Sequence, residues 1–592
     1  MVIVKLMVNK IFAFRMFNYQ HWGSASLILF AFTLSLALFL LPGFTAALFL
    51  ATRRRMTPVY LVISVVVTTA TLGYGSFWIF FANRTGGKIF TFLVYSLSVF
   101  FIARLTWKPG QERQVARQIA TPFLFVLLAG ICYVSLFYLF GDPNHYEAGL
   151  ANVRFFEKGQ PGDNIIPLIF AGRIYAHEPV HPFCCGDWLS SDRPPLQAGI
   201  FLLQRPLRIV SIGLHYQLLA TALQCLWISG VWCLLTVLGT SGRCIRQVIV
   251  ILICSGFFFY NSVYTWPKLL AAACILFLLS ILLDVIRRDC PATRLQIVLA
   301  AACLGLALMA HPGSVFSLPA FGIVCLRYRR LFFVRKAGLA LPIALAFSLP
   351  WNAYQKFVDP PGNRLLKMHL AGEYAVDSRS TWQGITDAYR SCNWQEVIRF
   401  KLSNLRELFG KEPLDVFGLN SFNFNAGLQI RHSTIARSRV AQREWIWNGV
   451  GLLNVGWLGA AWLFFHSRKY PVAVPYSPWF LAASIFNLLV WSTVMFGPSA
   501  TLTTHSSYAD IILLSLGLCG YLLALPPAAV LAVFVLEIWN LVVVWTWFPP
   551  VAGFTQRAEV EMPFLVYGSI ALASLIWIFA QACFEGDPIT NL

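Results

Sequence analysis

Apolar residues run through most of the chain in unbroken stretches of about 18 to 27, separated by short polar gaps. A helix of that length crosses a hydrocarbon core of about 30 Å. Continuous runs are also unlike the strict alternation of a membrane barrel. The pattern predicts spans near 24–50, 57–82, 89–107, 119–141, 208–238, 247–264, 268–286, 295–310, 313–327, 337–351, 446–465, 478–497, 508–525, 527–547 and 563–583. The expected fold is an all-α polytopic membrane protein with about 13–15 transmembrane helices. It divides into N-terminal helices (1–118), a core with a first large loop at 142–207 (119–351), a second large loop (352–445) and C-terminal helices (446–592).

Composition agrees: of 592 residues, 58% are hydrophobic and 12% charged, against about 25% charged in soluble domains. The net charge of +20 does not form a nucleic-acid patch. Arg53-Arg54-Arg55, Lys108–Arg117, Arg243/Arg246, Arg287/Arg288, Arg327–Lys336 and Arg468/Lys469 occupy alternate gaps, so all six are cytoplasmic under the positive-inside rule. Both large loops then face outward, into the periplasm if the membrane is a bacterial inner membrane. Parity also places Lys5, Lys10 and Arg15 outside, unless the first apolar segment is re-entrant and broken near Pro42-Gly43. Most of the fourteen cysteines fall in apolar runs, where cysteine acts as a small hydrophobe. Cys184, Cys185 and Cys392 fall in the outer loops, where Cys392 could pair with either of the other two.

The second loop carries the aromatic residues Trp382, Trp394, Phe422 and Phe424, which suit a small cap on the membrane domain. Trp394, Val397, Ile398, Leu402 and Leu405 recur at helical spacing and read as a core-facing stripe. In the first loop, His177-Glu178-Pro179-Val180-His181 spells H-E-x-x-H. That motif holds zinc only on a helix, and Pro179 and Pro182 disfavour one there. His177, His181 and Asp187 could still offer a divalent ion three loop ligands; the expectation is that no metal or other cofactor is essential.

The chemistry is sought at the outer surface, because ionisable groups at membrane depth are costly and mark function by default. The first loop opens "LFGDPNHYEAGLANVRFFEKGQPGDN", placing Asp142, His145 and Glu147 at the membrane surface, with an interfacial helix over 146–156. It ends "SDRPPLQAGI", where Pro194-Pro195 fixes an extended approach and Arg193, beside Asp192, reaches headgroup level. A guanidinium there can grip phosphate with two parallel hydrogen bonds. A carboxylate can deprotonate an acceptor while the cation stabilises a departing lipid phosphate. The competing reading makes Asp142 a cap, or the partner of Arg193 in a surface ion pair. Lys268 and Arg364 are further phosphate candidates; His145, Asp192, His369 and His505 are substrate or acceptor candidates. Lys268 alternatively reads as a snorkelling side chain, Trp266 as an interfacial anchor, and His311 as a cap between spans.

A span ending in Asp142, then "HYEAGLANVRFFEKGQ", then "SDRPPLQAGI" resembles the first external loop of GT-C membrane glycosyltransferases. The resemblance is to the branch of protein O-mannosyltransferases and lipid A aminoarabinose transferases, and its motifs cover roughly sixty residues. It implies Asp142 as catalytic carboxylate, Glu147 as a second acidic residue of the site and Arg193 as phosphate ligand. It further implies a polyprenyl-phosphate sugar donor and inversion at the anomeric centre. The chain departs in having Arg193 where the family often has lysine, and Asp142-Pro143 where it often has an acidic pair. The expected function is transfer of a sugar from a polyprenyl phosphate to an envelope glycan, lipid or protein on the periplasmic face. Competing readings are a transporter or flippase of lipid-linked sugars, and an envelope polysaccharide polymerase or ligase.

Overall fold

A computed structural model describes residues 19–53, 56–105, 111–139, 155, 162–181, 183, 188–332, 338–409, 439, 473–497, 505–547 and 560–584. The helices in chain order are α1 (Tyr19–Arg53), α2 (Pro58–Ala82), α3 (Arg84–Leu105), α4 (Gln111–Tyr138), α5 (Ile166–Ala176), α6 (Leu196–Gln204) and α7 (Ile212–Gln224). There follow α8 (Trp227–Val237), α9 (Gly242–Ile253), α10 (Gly256–Val263), α11 (Lys268–Arg288), α12 (Arg294–Ala310), α13 (Leu318–Arg327) and α14 (Ala340–Phe357). The second loop contributes α15 (Arg364–Ala371), α16 (Thr381–Arg390) and α17 (Trp394–Phe409); α18 (Ser477–Val494), α19 (Tyr508–Leu522), α20 (Pro527–Trp539) and α21 (Met562–Phe584) complete the described chain. Eight helical segments among the described residues are long and apolar enough to cross a membrane, or nine if α9 and α10, bent by 64°, form one span. The protein is an all-α polytopic membrane protein. The predicted span at 446–465 lies outside the described residues.

Local chemistry explains several boundaries. Ser211 and Ser241 cap α7 and α9 by accepting the amides of Leu214 and Cys244. Thr293 with Gln296, and Ser380 with Gln383, form reciprocal capping boxes at α12 and α16. The first segment is not re-entrant: α1 continues through Pro42, and the Gly43 amide donates to Thr69 Oγ1 at 3.0 Å. A neighbouring hydroxyl thus satisfies the amide beside the proline, as happens in packed membrane helices.

One end of the bundle gathers the basic gaps: Asp284 accepts from Arg288 and Tyr60, Arg330 pairs with Asp289, and Arg243 reaches the Cys583 carbonyl. At the other end lie the outer turns and α15–α17. Most of the stripe on α17 does not face the core: Trp394 is 74% exposed and Leu402 60%, while Leu405 alone of these three packs against it. The docking side is the adjoining edge that carries Lys401 and Asn404 beside Val397. Asn404 donates to the carbonyls of Ser492 and Met495, and Lys401 to that of Met495. Carbonyls at the end of α18 lack intrahelical partners, so their need for donors sets the orientation that periodicity alone misassigned. Cys392 is a free thiol, and Cys184 and Cys185 lie outside the described residues.

A close crossing joins α2 to α6. Every residue of α6 is buried. A Cβ on Gly199 would overlap the Gly73 carbonyl, and one on Gly73 would overlap Ile200. Small residues of this kind let membrane helices approach closely. Because α6 starts three residues after Arg193, this crossing sets the height of that side chain in the protein. Gly199→Val is therefore expected to destabilise the protein by about 1–3 kcal/mol through overpacking. A thermal midpoint in detergent equal to the parent's would refute the close-packing account.

Candidate functional site

Residues 188–195 form a buried turn held from three sides. Asp192 ends a 3₁₀ turn; its Oδ2 accepts the Leu189 amide and the Arg364 guanidinium, both at 2.9 Å. Ser190 Oγ and the Ser191 amide donate to Asp359 Oδ2 at 2.7 and 2.6 Å, and Ser190 also bonds Tyr354 Oη. Burial is the dominant influence on Asp192 and raises its pKa, against the lowering pull of the Leu189 amide and the two guanidiniums. Arg193 follows in extended conformation. It donates to Asp163 and to the Asp192 carbonyl, with the rings of Trp188 and Trp266 at 5.2 and 5.4 Å. The partner described for Arg193 is Asp163, and both side chains are buried; the competing pairing with Asp142 involves a residue outside the described ones.

A polar chain behind Arg193 fixes Asp163. Gln224 accepts the Leu270 amide and donates to Gln197, which donates to Tyr216 Oη and the Thr265 carbonyl. Tyr216 donates to the Asn164 carbonyl, and Tyr264 to Asp163 Oδ1 at 2.9 Å. Sequence reasoning missed Asp163. Its only signal was an Asp-Asn pair after Pro161-Gly162 in the outer loop.

In front of this turn opens a cavity of about 800 Å³. Asp163, Asp192, Arg193, Arg364, His369 and His505 line its polar side. The His369 and His505 rings are 4.6 Å apart. His311 also lines the cavity; burial, then Lys268 and Arg193, hold its pKa well below the usual imidazole range, and its Nδ1 accepts the Gly313 amide. The facing wall is apolar, with Leu308, Phe316, Val490 and Met495. Val315 and Val494 line the cavity yet are 45% and 42% exposed, so this wall reaches the apolar outside of the bundle. Among the described residues, Nε of Arg193, Nε of Arg364 and Nε1 of Trp266 are buried without a hydrogen-bond partner. Such groups cost free energy unless a ligand or water satisfies them.

The predicted residues thus divide. Asp192, Arg193, Arg364, His369 and His505 converge on one cavity. Asp142, His145 and Glu147 lie outside the described residues. Lys268 does not snorkel: it is buried over the Trp266 ring at 3.8 Å and is not on the described cavity wall. Trp266 is 7% exposed and lines the cavity, so it is not an interfacial anchor; two cations on its ring hold it inside. The H-E-x-x-H pattern falls after α5 ends at Ala176, with His177 in a left-handed cap. His177 Nε2 accepts the Arg84 amide, whereas His181 contacts Asp359 at 2.6 Å, so each imidazole has a separate task. No group of three metal-ligating side chains occurs among the described residues.

Removing one partner of a buried ion pair leaves the other charge uncompensated, at about 3–5 kcal/mol. Asp163→Asn should therefore lower the thermal midpoint markedly, while adding Arg193→Met restores much of the loss. Equal stability of the parent and Asp163→Asn would refute the buried pairing. No family model and no curated protein matches the sequence. Among solved structures the chain is similar to ArnT from Cupriavidus metallidurans, whose crystal structure has undecaprenyl phosphate bound. That alignment has 13% identity and a TM-score of 0.31, over 78% of this chain and 88% of that one.

Proposed function

We propose that the protein is an inverting glycosyltransferase that moves a sugar from a polyprenyl-phosphate donor to an acceptor on the periplasmic face of a bacterial inner membrane. The observation that carries this reading is the pair of buried guanidiniums with unpartnered Nε atoms, facing a cavity whose other wall is apolar and reaches the lipid-facing surface. A phosphate satisfies the first feature and an isoprenoid chain the second. The ionisable groups of the cavity crowd one end of the bundle, which suits a surface reaction better than midplane transport on broken helices.

In the proposed reaction, an acceptor oxygen attacks the anomeric carbon from the side opposite the phosphate. The new C–O bond forms as the bond to the phosphate oxygen breaks, inverting the centre. The acceptor proton passes to a carboxylate, assigned to Asp142 with Glu147 as a second acidic residue, as the family resemblance implies; His145 is assigned to the substrate or acceptor. Arg193 and Arg364 stabilise the charge growing on the leaving phosphate. Lys268 adds positive potential from behind Trp266, and His369 and His505 contact the sugar or acceptor. Asp163 and Asp192 hold the two guanidiniums in position. This reading requires no metal, and chelation by EDTA is expected to leave transfer unchanged.

Native mass spectrometry of gently solubilised protein tests the donor site. The parent is expected to retain an isoprenoid phosphate or its sugar ester. Arg193→Ala and Arg364→Ala each remove charge-assisted bonds of about 1.5–3 kcal/mol, a loss of roughly ten- to hundredfold in affinity. Bulk phospholipid alone in all three proteins would count against the reading. Asp142→Asn should keep the lipid and lose transfer. Normal transfer by that variant, with transfer lost in a folded Asp163→Asn, would move the base to Asp163.

A further inference from the structure

Beside the buried cavity lies a second, open groove of about 830 Å³. Its inner wall is the end of α14 and the strap through Gly362 and Asn363; its outer wall is residues 376–380 and the first turn of α16. Asn352, Gln355, Gly362 and Leu366 line both hollows, so only a thin partition separates them. Gln355 is the centre of that partition. Its amide donates to the Gly362 carbonyl at 3.1 Å and to the Ser191 carbonyl, next to the phosphate-gripping turn, at 3.5 Å. Gly362 has φ +64°, and a Cβ there would press on the Gln355 backbone, so the strap crosses α14 in close contact.

The chemistry of the groove differs from that of the cavity. Around it stand Asn352, Asn363, Ser378, Ser380 and Gln383, with Lys356 at one edge. Arg379, the other cation, is consumed by Glu373, Asp377 and Asp387 at 2.7, 2.7 and 3.3 Å. Those contacts make the outer wall a rigid rim: Arg379 and Lys367 together hold the Asp377 carboxyl far below the usual carboxylate range. Asn363 donates to the Arg379 carbonyl at 3.1 Å, while its Oδ1 has no partner among the described residues. Amides and hydroxyls that both donate and accept match the mixed hydrogen-bonding of sugar hydroxyls. A phosphate needs donors alone, and an isoprenoid chain needs neither.

We propose that this groove binds the hydroxyl-rich head of a glycan acceptor and presents one hydroxyl past Gln355 to the donor. The proposal rests on the transferase reading above and adds the acceptor's class and path. Acceptor and donor approach from different media, water and lipid, and meet at the partition. The step is the one already described: acceptor oxygen to anomeric carbon, phosphate as leaving group, acceptor proton to the carboxylate.

The test blocks the groove without touching the cavity. Ser378→Cys is reacted with a bulky methanethiosulfonate, with Glu396→Cys on α17 and the parent chain as controls for the native cysteines. Right-side-out vesicles from cells that carry the gene are charged with lipid-linked donor extracted from the same cells. Transfer to endogenous envelope material is compared before and after modification, and retained isoprenoid phosphate is read by native mass spectrometry. Blocking Ser378→Cys is expected to cut transfer by roughly tenfold or more, as misplacement of a reactant does, with lipid retention unchanged and both controls unaffected. Full modification with undiminished transfer overturns the proposal. Loss of lipid together with transfer also overturns it, because the groove would then belong to the donor. A parent that neither retains isoprenoid phosphate nor transfers sugar defeats the transferase reading itself, which separates the two failures.

Discussion

The close contact of Gly73 with Gly199 is the constraint on which the site depends. In lipid, helices gain no hydrophobic advantage from touching one another, so association relies on packing and interhelical hydrogen bonds. The contact lets the short, fully buried α6 sit against α2. From α6, Gln197 reaches across to Tyr216 and the Thr265 carbonyl. Packing sets the height of α6, and the polar chain fixes its rotation. Pro194-Pro195 then passes that position rigidly to Arg193. The site is thus an extension of helix packing, and a shift of α6 would move the Arg193 guanidinium with it.

The cost of the arrangement lies in its buried charges. Arg193 with Asp163 and Arg364 with Asp192 are ion pairs withdrawn from water. Pairs of this kind often add little net stability compared with apolar side chains of similar size. What they provide here is direction. Each carboxylate holds one terminal nitrogen of its arginine, and the Nε edge is without a partner in the described structure. A guanidinium fixed in this way has little orientational freedom left to lose on meeting an anion, so binding energy is not spent on ordering it.

The fold was readable because its signal is thermodynamic: apolar length and alternating positive gaps are what a bilayer selects. The arginines were readable for a similar reason, since Arg193 before two prolines and Arg364 after a span end are expensive placements. Asp163 was not readable. Its importance comes from Tyr264, 101 residues away, and Arg193, 30 residues away, and no local pattern encodes such contacts. Trp266 was misread because an aromatic residue at a span end is usually an anchor, and only the two cations on its ring reveal another task. The α17 stripe failed because periodicity identifies an apolar face without saying what covers it. Asn404, an unremarkable polar residue in the same helix, decided the orientation.

In the proposed transferase reading, the cavity and the groove together reconcile two incompatible substrates. A polyprenyl chain is stable only where apolar side chains or lipid surround it, and a glycan only where its hydroxyls keep hydrogen bonds. The protein has adjoining hollows of opposite character and shared lining residues, one reaching the apolar outside of the bundle at Val315 and Val494, the other open at Ser378 and Gln383. At their junction Gln355 offers a neutral amide held by two backbone carbonyls. A charged residue there would compete with the arginines for phosphate or repel it. An apolar one would leave the Ser191 and Gly362 carbonyls without that donor. A neutral side chain that can turn from these carbonyls to a hydroxyl meets both requirements, which is why the proposed reaction is placed at this partition.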